Sequence, residues 1–336
     1  MGDEMNKKKI TAIALTVLFL VGALGLFVFY EDRHERFEGG EKSHIAMGTV
    51  VTQKIYGESA AKHIEKTKSI IDGLDSMISW RNTDSEIAKL NSGKALTSAY
   101  LTDAIRQCSE ISTLTGGVFD VTVGTVSRLW NIGEENERIP ADGEIKAELE
   151  NVGYGKIKFG KDVVELSDGV KVDLGAVGKG MACDMLKKYL DSSNMQGAVI
   201  SVGGSILAWG DYNKAGDKWQ IAVAHPRNEG EYLGVLSLDE GFVSTSGDYE
   251  RYFEKDGKRY HHILDATTGY PAETDTISVT VVCDNGLISD ALSTACFILG
   301  EENSRELLGE YNASAVFVDK DMNISIVGDI DFEVKQ

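Results

Sequence analysis

The chain has 336 residues, with 34 Lys and Arg against 53 Asp and Glu, and a formal charge of −19 at pH 7. That length accommodates a sizeable core in one large domain or two lobes, and 42% hydrophobic with 26% charged residues is globular rather than disordered composition. So negative a chain excludes nucleic acid as its partner, because a phosphate backbone calls for a basic stripe.

The first distinct segment is Ile10–Tyr30, which carries no charge. As a helix it spans about 30 Å, the thickness of the hydrocarbon layer. Lys7, Lys8 and Lys9 precede it, and residues 31–36 have no positive excess. The positive-inside rule therefore makes residues 1–9 a cytoplasmic tail, 10–30 a single-pass membrane anchor, and the rest extracytoplasmic. A cleaved signal peptide would have a shorter apolar stretch and a small-residue cleavage site, which this segment lacks. Residues 31–44 read as a polar juxtamembrane spacer, and 45–336 as the folded domain.

Within that domain a strand is expected at MGTVVTQKIYG (47–57), then an amphipathic helix over 59–79, where Ile64, Ile71, Leu74 and Ile78 recur at helical spacing. A second helix covers about 97–115, after a loop around Asn91-Ser92-Gly93. A short helix is expected near 143–150, then strands KIKFG, DVVEL and GVKVDLG, and a helix over 177–192. Strands AVISVGG, WQIAVAHP and VLSLDEGFVSTSG follow. Next comes a hairpin turning at Asp256-Gly257, and then the strand TISVTVVCD. Helices over about 286–299 and 301–310 precede a closing hairpin, SAVFVDKDMNISIVG. The elements do not alternate as βαβ units, so the fold class is α+β, with sheets flanked by helices. Cys108, Cys183, Cys283 and Cys296 form no CxxC pair and read as buried free thiols.

Four constellations carry chemistry. Val172-Asp173-Leu174-Gly175-Ala176-Val177-Gly178-Lys179-Gly180 is a strand, a small-residue turn and a helix start, where backbone N–H groups and Lys179 suit an anion. Its spacing is neither a Walker A loop nor GxGxxG, and a tight packing turn remains the alternative. Ser201-Val202-Gly203-Gly204-Ser205 ends an apolar strand with paired glycines that allow close backbone approach to a ligand or another strand. Thr245-Ser246-Gly247 and His262 to Thr268 place a histidine and the carboxylate of Asp265 near a hydroxyl-rich turn, a pattern for proton transfer or for a strand-end histidine bonded to backbone. Asp290 and Thr294, four apart on a helix, share one face. Their hard oxygens suit Mg²⁺ or simply form a polar helix edge.

In order along the chain, MGT (47–49), SEIAKLN (85–91), GGVFDVTVG (116–124), VDLGAVGKGMACD (172–184), ISVGGSI (200–206), STSGDY (244–249), HILDATTGYP (262–271) and SDALSTACFILG (289–300) resemble the ApbE family. These are Mg²⁺-dependent FAD:protein FMN transferases with a T-fold-related α+β architecture. The resemblance implies FAD in a cleft between two lobes, with its pyrophosphate near the DLGAVGKG turn. It also implies Mg²⁺ on Asp290, Thr294 and the Ala176 carbonyl. It makes Met47, Trp80, Asp120, Asp173, Gly175, Lys179, Ser201, Gly203, Gly204, Ser246, Gly247 and Thr268 FAD contacts, and His262 and Asp265 the proton acceptor and its positioner, with Lys179 holding phosphates. Ala266 stands where the family often has Pro, and Gly178 where it often has Ala. The implied reaction attaches FMN to a Thr or Ser of exported redox proteins and releases AMP. An FAD pyrophosphatase giving FMN and AMP, or a non-catalytic FAD-binding protein, are the alternatives.

Overall fold

The computed structural model describes residues 37–335. The expected tail at 1–9 and anchor at 10–30 lie outside them. Among the described residues no helix is long and apolar enough to cross a membrane.

The described residues open with a hairpin, β1 (Gly39–Ala46) and β2 (Thr49–Tyr56). Met47 and Gly48 close it with φ of 52° and 67°, a two-residue turn whose twist matches that of paired strands. MGT is thus the tip of a hairpin rather than the start of a strand. β1 also corrects the expected spacer at 31–44 and the domain start at 45. Its sequence GGEKSHIA buries only Ala46, so no apolar alternation announces it. Besides its backbone ladder it pairs through polar side chains, Ser43 with Thr52 at 3.1 Å and Glu41 with Lys54 at 3.3 Å, which suit a sheet edge.

Helix α1 (Ala60–Ile78) buries Ile64, Ile71, Leu74 and Ile78, the expected stripe. Helix α2 (Glu86–Asn91), not anticipated, runs up to the expected loop at Ser92-Gly93 and is capped by Ser85, whose hydroxyl accepts the Ala88 N–H at 2.9 Å. Helix α3 (Ala99–Leu114), a short unanticipated helix α4 (Gly124–Trp130) and α5 (Asp142–Leu149) follow. Strands β3 (Ile157–Phe159) and β4 (Val164–Leu166) form a small hairpin. GVKVDLG makes no strand of its own. The Asn91 side chain takes both backbone groups of Val172, at 2.7 and 2.8 Å, where a neighbouring strand would have.

Helix α6 (Gly178–Asp191) precedes β5 (Gly197–Val202), β6 (Ser205–Gly210) and β7 (Trp219–Ala224). VLSLDEGFVSTSG divides into β8 (Tyr232–Leu238) and β9 (Gly241–Gly247), which belong to different sheets. The hairpin β10 (Tyr252–Lys255) and β11 (Lys258–His261) turns at Asp256-Gly257 as expected. After β12 (Thr276–Cys283), helix α7 (Gly286–Glu310) breaks at Gly300 (φ 74°, ψ 171°), giving the two successive helices read from sequence. The hairpin β13 (Ser314–Asp319) and β14 (Ile324–Val327) is followed by one more strand, β15 (Phe332–Val334).

Eight strands form one sheet in the order β1-β2-β5-β6-β9-β12-β13-β14, every pair antiparallel. Both faces are covered. Along β5, Ala198, Ile200 and Val202 face the main core with α1, α6 and α7, while Val199 faces the sheet β15-β8-β7 with Trp219, Ile221 and Leu236. Strands buried on both faces read as continuous apolar runs, which is why AVISV and TISVTVV stand out in the sequence. A separate cluster of Val126, Trp130 and Ile145 holds α4 and α5 against β10–β11. All four cysteines are buried free thiols, as expected.

One half-buried histidine sets a pH dependence. His44 on β1 has no hydrogen-bond partner on either ring nitrogen. Burial, then Lys68, lower its pKa, with Lys42 adding to this and Asp72 and Glu65 opposing. The unfolded chain takes up this proton near 6.5 and the folded chain only at lower pH, so stability falls as pH drops below about 6.5. His44→Leu is expected to melt further above the wild type at pH 5 than at pH 7.5. An equal gap at both values would contradict this.

Candidate active site

Four segments from different parts of the sheet converge: the α6 N-terminus, the β5–β6 turn, the end of β9, and the first turns of α7. Lys179 lies in the first turn of α6, its Nζ 3.9 Å from Glu250 Oε2. Burial opposes the Lys179 charge, but the carboxylates of Glu250 and Asp290 outweigh it and its pKa is raised. Burial also raises Glu250. Gly204 makes room for this pair, because a Cβ there would lie 3.0 Å from Glu250 Oε1 and 3.5 Å from Lys179 Nζ.

Several glycines thereby change role. A Cβ on Gly180 would meet the Gly286 carbonyl oxygen at 2.0 Å, and one on Gly178 would meet Ile78 Cδ1 at 2.8 Å. Both serve packing of α6 rather than approach to an anion. A Cβ on Gly203 would meet Thr49 Oγ1 at 2.6 Å, and one on Gly247 the Tyr249 ring at 2.3 Å. Gly175 alone of the expected phosphate glycines is exposed.

Asp290 is buried beneath Lys179. Its Oδ2 accepts the Gly180 N–H at 2.9 Å and its Oδ1 the Ser205 hydroxyl at 3.0 Å. Burial pushes its pKa up, and Lys179 and these hydrogen bonds oppose the rise. The Thr294 hydroxyl, one turn on, lies 3.4 Å from Ser246 Oγ, which itself sits 2.8 Å from Ser293 Oγ. The Met181 N–H closes the first helical turn on the carbonyl of the cap residue, Val177, so the Ala176 carbonyl lies just before the helix and has no backbone donor among the described residues. One carboxylate, one hydroxyl and one carbonyl are hard oxygens of the kind that Mg²⁺ binds alongside waters and phosphate oxygens. Among the described residues no three His, Cys, Asp or Glu side chains cluster to hold a metal without them.

His262 follows β11. Its backbone N–H donates to the Arg251 carbonyl at 3.0 Å, and its Nδ1 lies 3.2 Å from the same oxygen. A carbonyl only accepts, so Nδ1 carries the hydrogen and Nε2 of the neutral ring is an acceptor. Burial first, then the charges of Lys179 and Arg251, lower the His262 pKa to about 3. Asp265 is not its positioner. The Asp265 carboxylate instead accepts the Thr267 N–H at 2.8 Å and the Thr267 hydroxyl at 2.6 Å, closing the turn that exposes Thr268. The orienting group is the main chain of Arg251, which sequence reading passed over. The Arg251 guanidinium donates to the Gly48 carbonyl at 3.1 Å and so ties the hairpin tip to this segment.

The remaining expected contacts divide. Met47 sits at the hairpin tip, its N–H on Asp75 at 3.0 Å and its side chain beside Gly178. Trp80 is half-buried with the Arg81 and Arg128 guanidiniums each 4.4 Å from its ring centroid. Ser201 donates to the Gly203 carbonyl at 3.0 Å. Asp173 accepts from Gly175 N–H and Ser127, bracing the turn. Asp120 is committed to the fold, accepting from the Thr122 N–H and hydroxyl (both 2.8 Å) and the Tyr154 N–H (2.6 Å). Glu250, Arg251 and Ser205 were not anticipated. Glu250 and Arg251 adjoin the STSGDY block and Ser205 lies inside ISVGGSI, but nothing in either stretch singles them out.

Comparison with known proteins gives a consistent picture. The sequence matches the ApbE family over residues 47–317. It is 30% identical over 311 residues to an FAD:protein FMN transferase of Treponema pallidum, covering 84% of this chain and 86% of that one. It is 32% identical over 274 residues to an FAD:protein FMN transferase of Haemophilus influenzae, covering 77% and 79%. In structure it resembles an ApbE protein of Thermotoga maritima, with a TM-score of 0.78 at 30% identity over 86% of this chain and 97% of the other.

Proposed function

Since the chain belongs to the ApbE family, we propose that it is an FAD:protein FMN transferase that uses Mg²⁺ and modifies a Thr or Ser of exported flavin-acceptor proteins. The observation that carries the reading is the convergence of Lys179, the buried Asp290 and a neutral, oriented His262 around the N-terminus of α6. The names of the relatives supply the substrate, FAD, and the acceptor class, protein.

In the reaction, the acceptor hydroxyl attacks the FMN-side phosphorus of FAD. A P–O bond forms to the protein, the P–O bond to AMP breaks, and the hydroxyl proton passes to His262 Nε2. Lys179 and the positive end of the α6 dipole hold phosphate oxygens against an otherwise acidic protein. The Arg251 carbonyl keeps His262 in the tautomer whose Nε2 accepts. Asp290, Thr294 and the Ala176 carbonyl would hold Mg²⁺, whose charge would neutralise pyrophosphate oxygens. The apolar segment at 10–30 would anchor the enzyme, N-terminus inside, with this site outside the cell membrane.

The test is incubation with FAD, Mg²⁺ and an exported flavin-acceptor domain, read by in-gel flavin fluorescence and intact mass. Covalent FMN on the acceptor is expected. Release of free FMN with no labelled protein would overturn the transferase reading in favour of FAD hydrolysis. His262→Gln is expected to lower the transfer rate by about 100-fold or more, the usual loss for a general base, with FAD binding retained. An unchanged rate would remove His262 from proton transfer.

A further inference from the structure

Asp290 does not hold its position alone. Ser289 Oγ donates to Ser244 Oγ, Ser244 Oγ donates to Ser205 Oγ at 3.3 Å, and Ser205 Oγ donates to Asp290 Oδ1 at 3.0 Å. Ser205, Ser244 and Ser289 are each at most 1% exposed. The relay leaves α7 at Ser289, crosses β9 and β6, and returns to α7 at the next residue. Each hydroxyl passes its one hydrogen toward the carboxylate and accepts with its lone pair from behind, so none can rotate without leaving a buried group unpaired. The Gly180 N–H fixes the other carboxylate oxygen at 2.9 Å. The lone pairs left over on Asp290 are thereby held in one direction.

We propose that Ser205, backed by Ser244, is a positioning residue that presets the Asp290 carboxylate for a divalent cation. This rests on the Mg²⁺ reading above. Groups that orient a metal ligand typically change metal affinity 10- to 100-fold when removed, and the relay places Ser205 in that relation to Asp290.

The experiment titrates the full chain, without FAD, with Mn²⁺ as probe, and reads free and bound ion by electron paramagnetic resonance. Wild type, Ser205→Ala, Ser244→Ala and Asp290→Asn are compared, with thermal melting in the absence of metal as the check on folding. Asp290→Asn is expected to lose binding. Ser205→Ala is expected to weaken it about 10-fold and to broaden the bound signal, and Ser244→Ala to weaken it about 3-fold. If Asp290→Asn binds Mn²⁺ like wild type, the metal reading fails and the relay proposal with it. If Asp290→Asn loses binding while both serine variants bind like wild type, the metal reading stands and the relay proposal alone is overturned. Ser244→Ala does not touch the carboxylate, so it carries the test if Ser205→Ala does not fold.

Discussion

Asp290→Asn is expected to reduce FMN transfer by on the order of a thousand-fold or more, because a catalytic cation supplies several kcal/mol of charge stabilisation. FAD binding should survive in part, since Lys179 and the α6 N-terminus remain. The Asn variant is preferred to Ala. Ala would leave both the Gly180 N–H and the Ser205 hydroxyl unpaired in a buried site, at a cost of about 1–3 kcal/mol each, whereas the one amide oxygen of Asn still accepts from one of them. FAD binding is read by flavin fluorescence in EDTA and transfer by labelled acceptor with Mg²⁺ present. Full transfer activity in the Asn variant would remove Asp290 from the site.

The largest effect on folding is expected from Gly180→Ala. In most helices such a change stabilises by about 0.5–1 kcal/mol. Here the added methyl would sit 2.0 Å from the Gly286 carbonyl oxygen and 2.7 Å from Asp290 Cβ. That carbonyl cannot swing away, because Asp184 pins the start of α7 by accepting the Gly286 and Leu287 N–H groups at 2.7 and 2.8 Å. Helices α6 and α7 must separate instead. A loss of about 3 kcal/mol is expected, which lowers the melting temperature by roughly 6–12 °C. Gly73→Ala is the control: it lies in α1 with nothing within 4 Å of its Cβ position and is expected to stabilise. Melting curves for the two variants that shift alike would refute the packing argument.

How much of this was legible in the sequence depends on what each residue's partner is. The buried strands and α1 were readable because their apolar spacing is local, and the α7 break because Gly300 interrupts one apolar helix. The edge strand β1 was not, because its ladder is backbone and its side-chain pairs are polar, which leaves no apolar pattern in GGEKSHIA. Lys179, His262, Asp290 and Thr294 stand within blocks of the ApbE resemblance, and the fold brings Lys179, His262 and Asp290 to one place. Glu250 and Arg251 became visible only when the chain folded, since one partners Lys179 and the other orients His262 through a main-chain atom that any residue could supply. The glycines misled for a related reason. A close approach between α6 and α7 and a close approach to a phosphate demand the same residue.

The early start of β1 shortens a leash. With residue 30 at the membrane surface, as proposed, residues 31–38 reach at most about 28 Å before the fold begins, against about 49 Å had the fold begun at 45. Gly39 is also the opposite end of the hairpin from Met47, a strand length of about 26 Å away. With that anchor, the hairpin tip at Met47 beside the candidate site would lie within about 55 Å of the bilayer. An enzyme so anchored would reach acceptors presenting their hydroxyl inside that shell and would miss those held farther out.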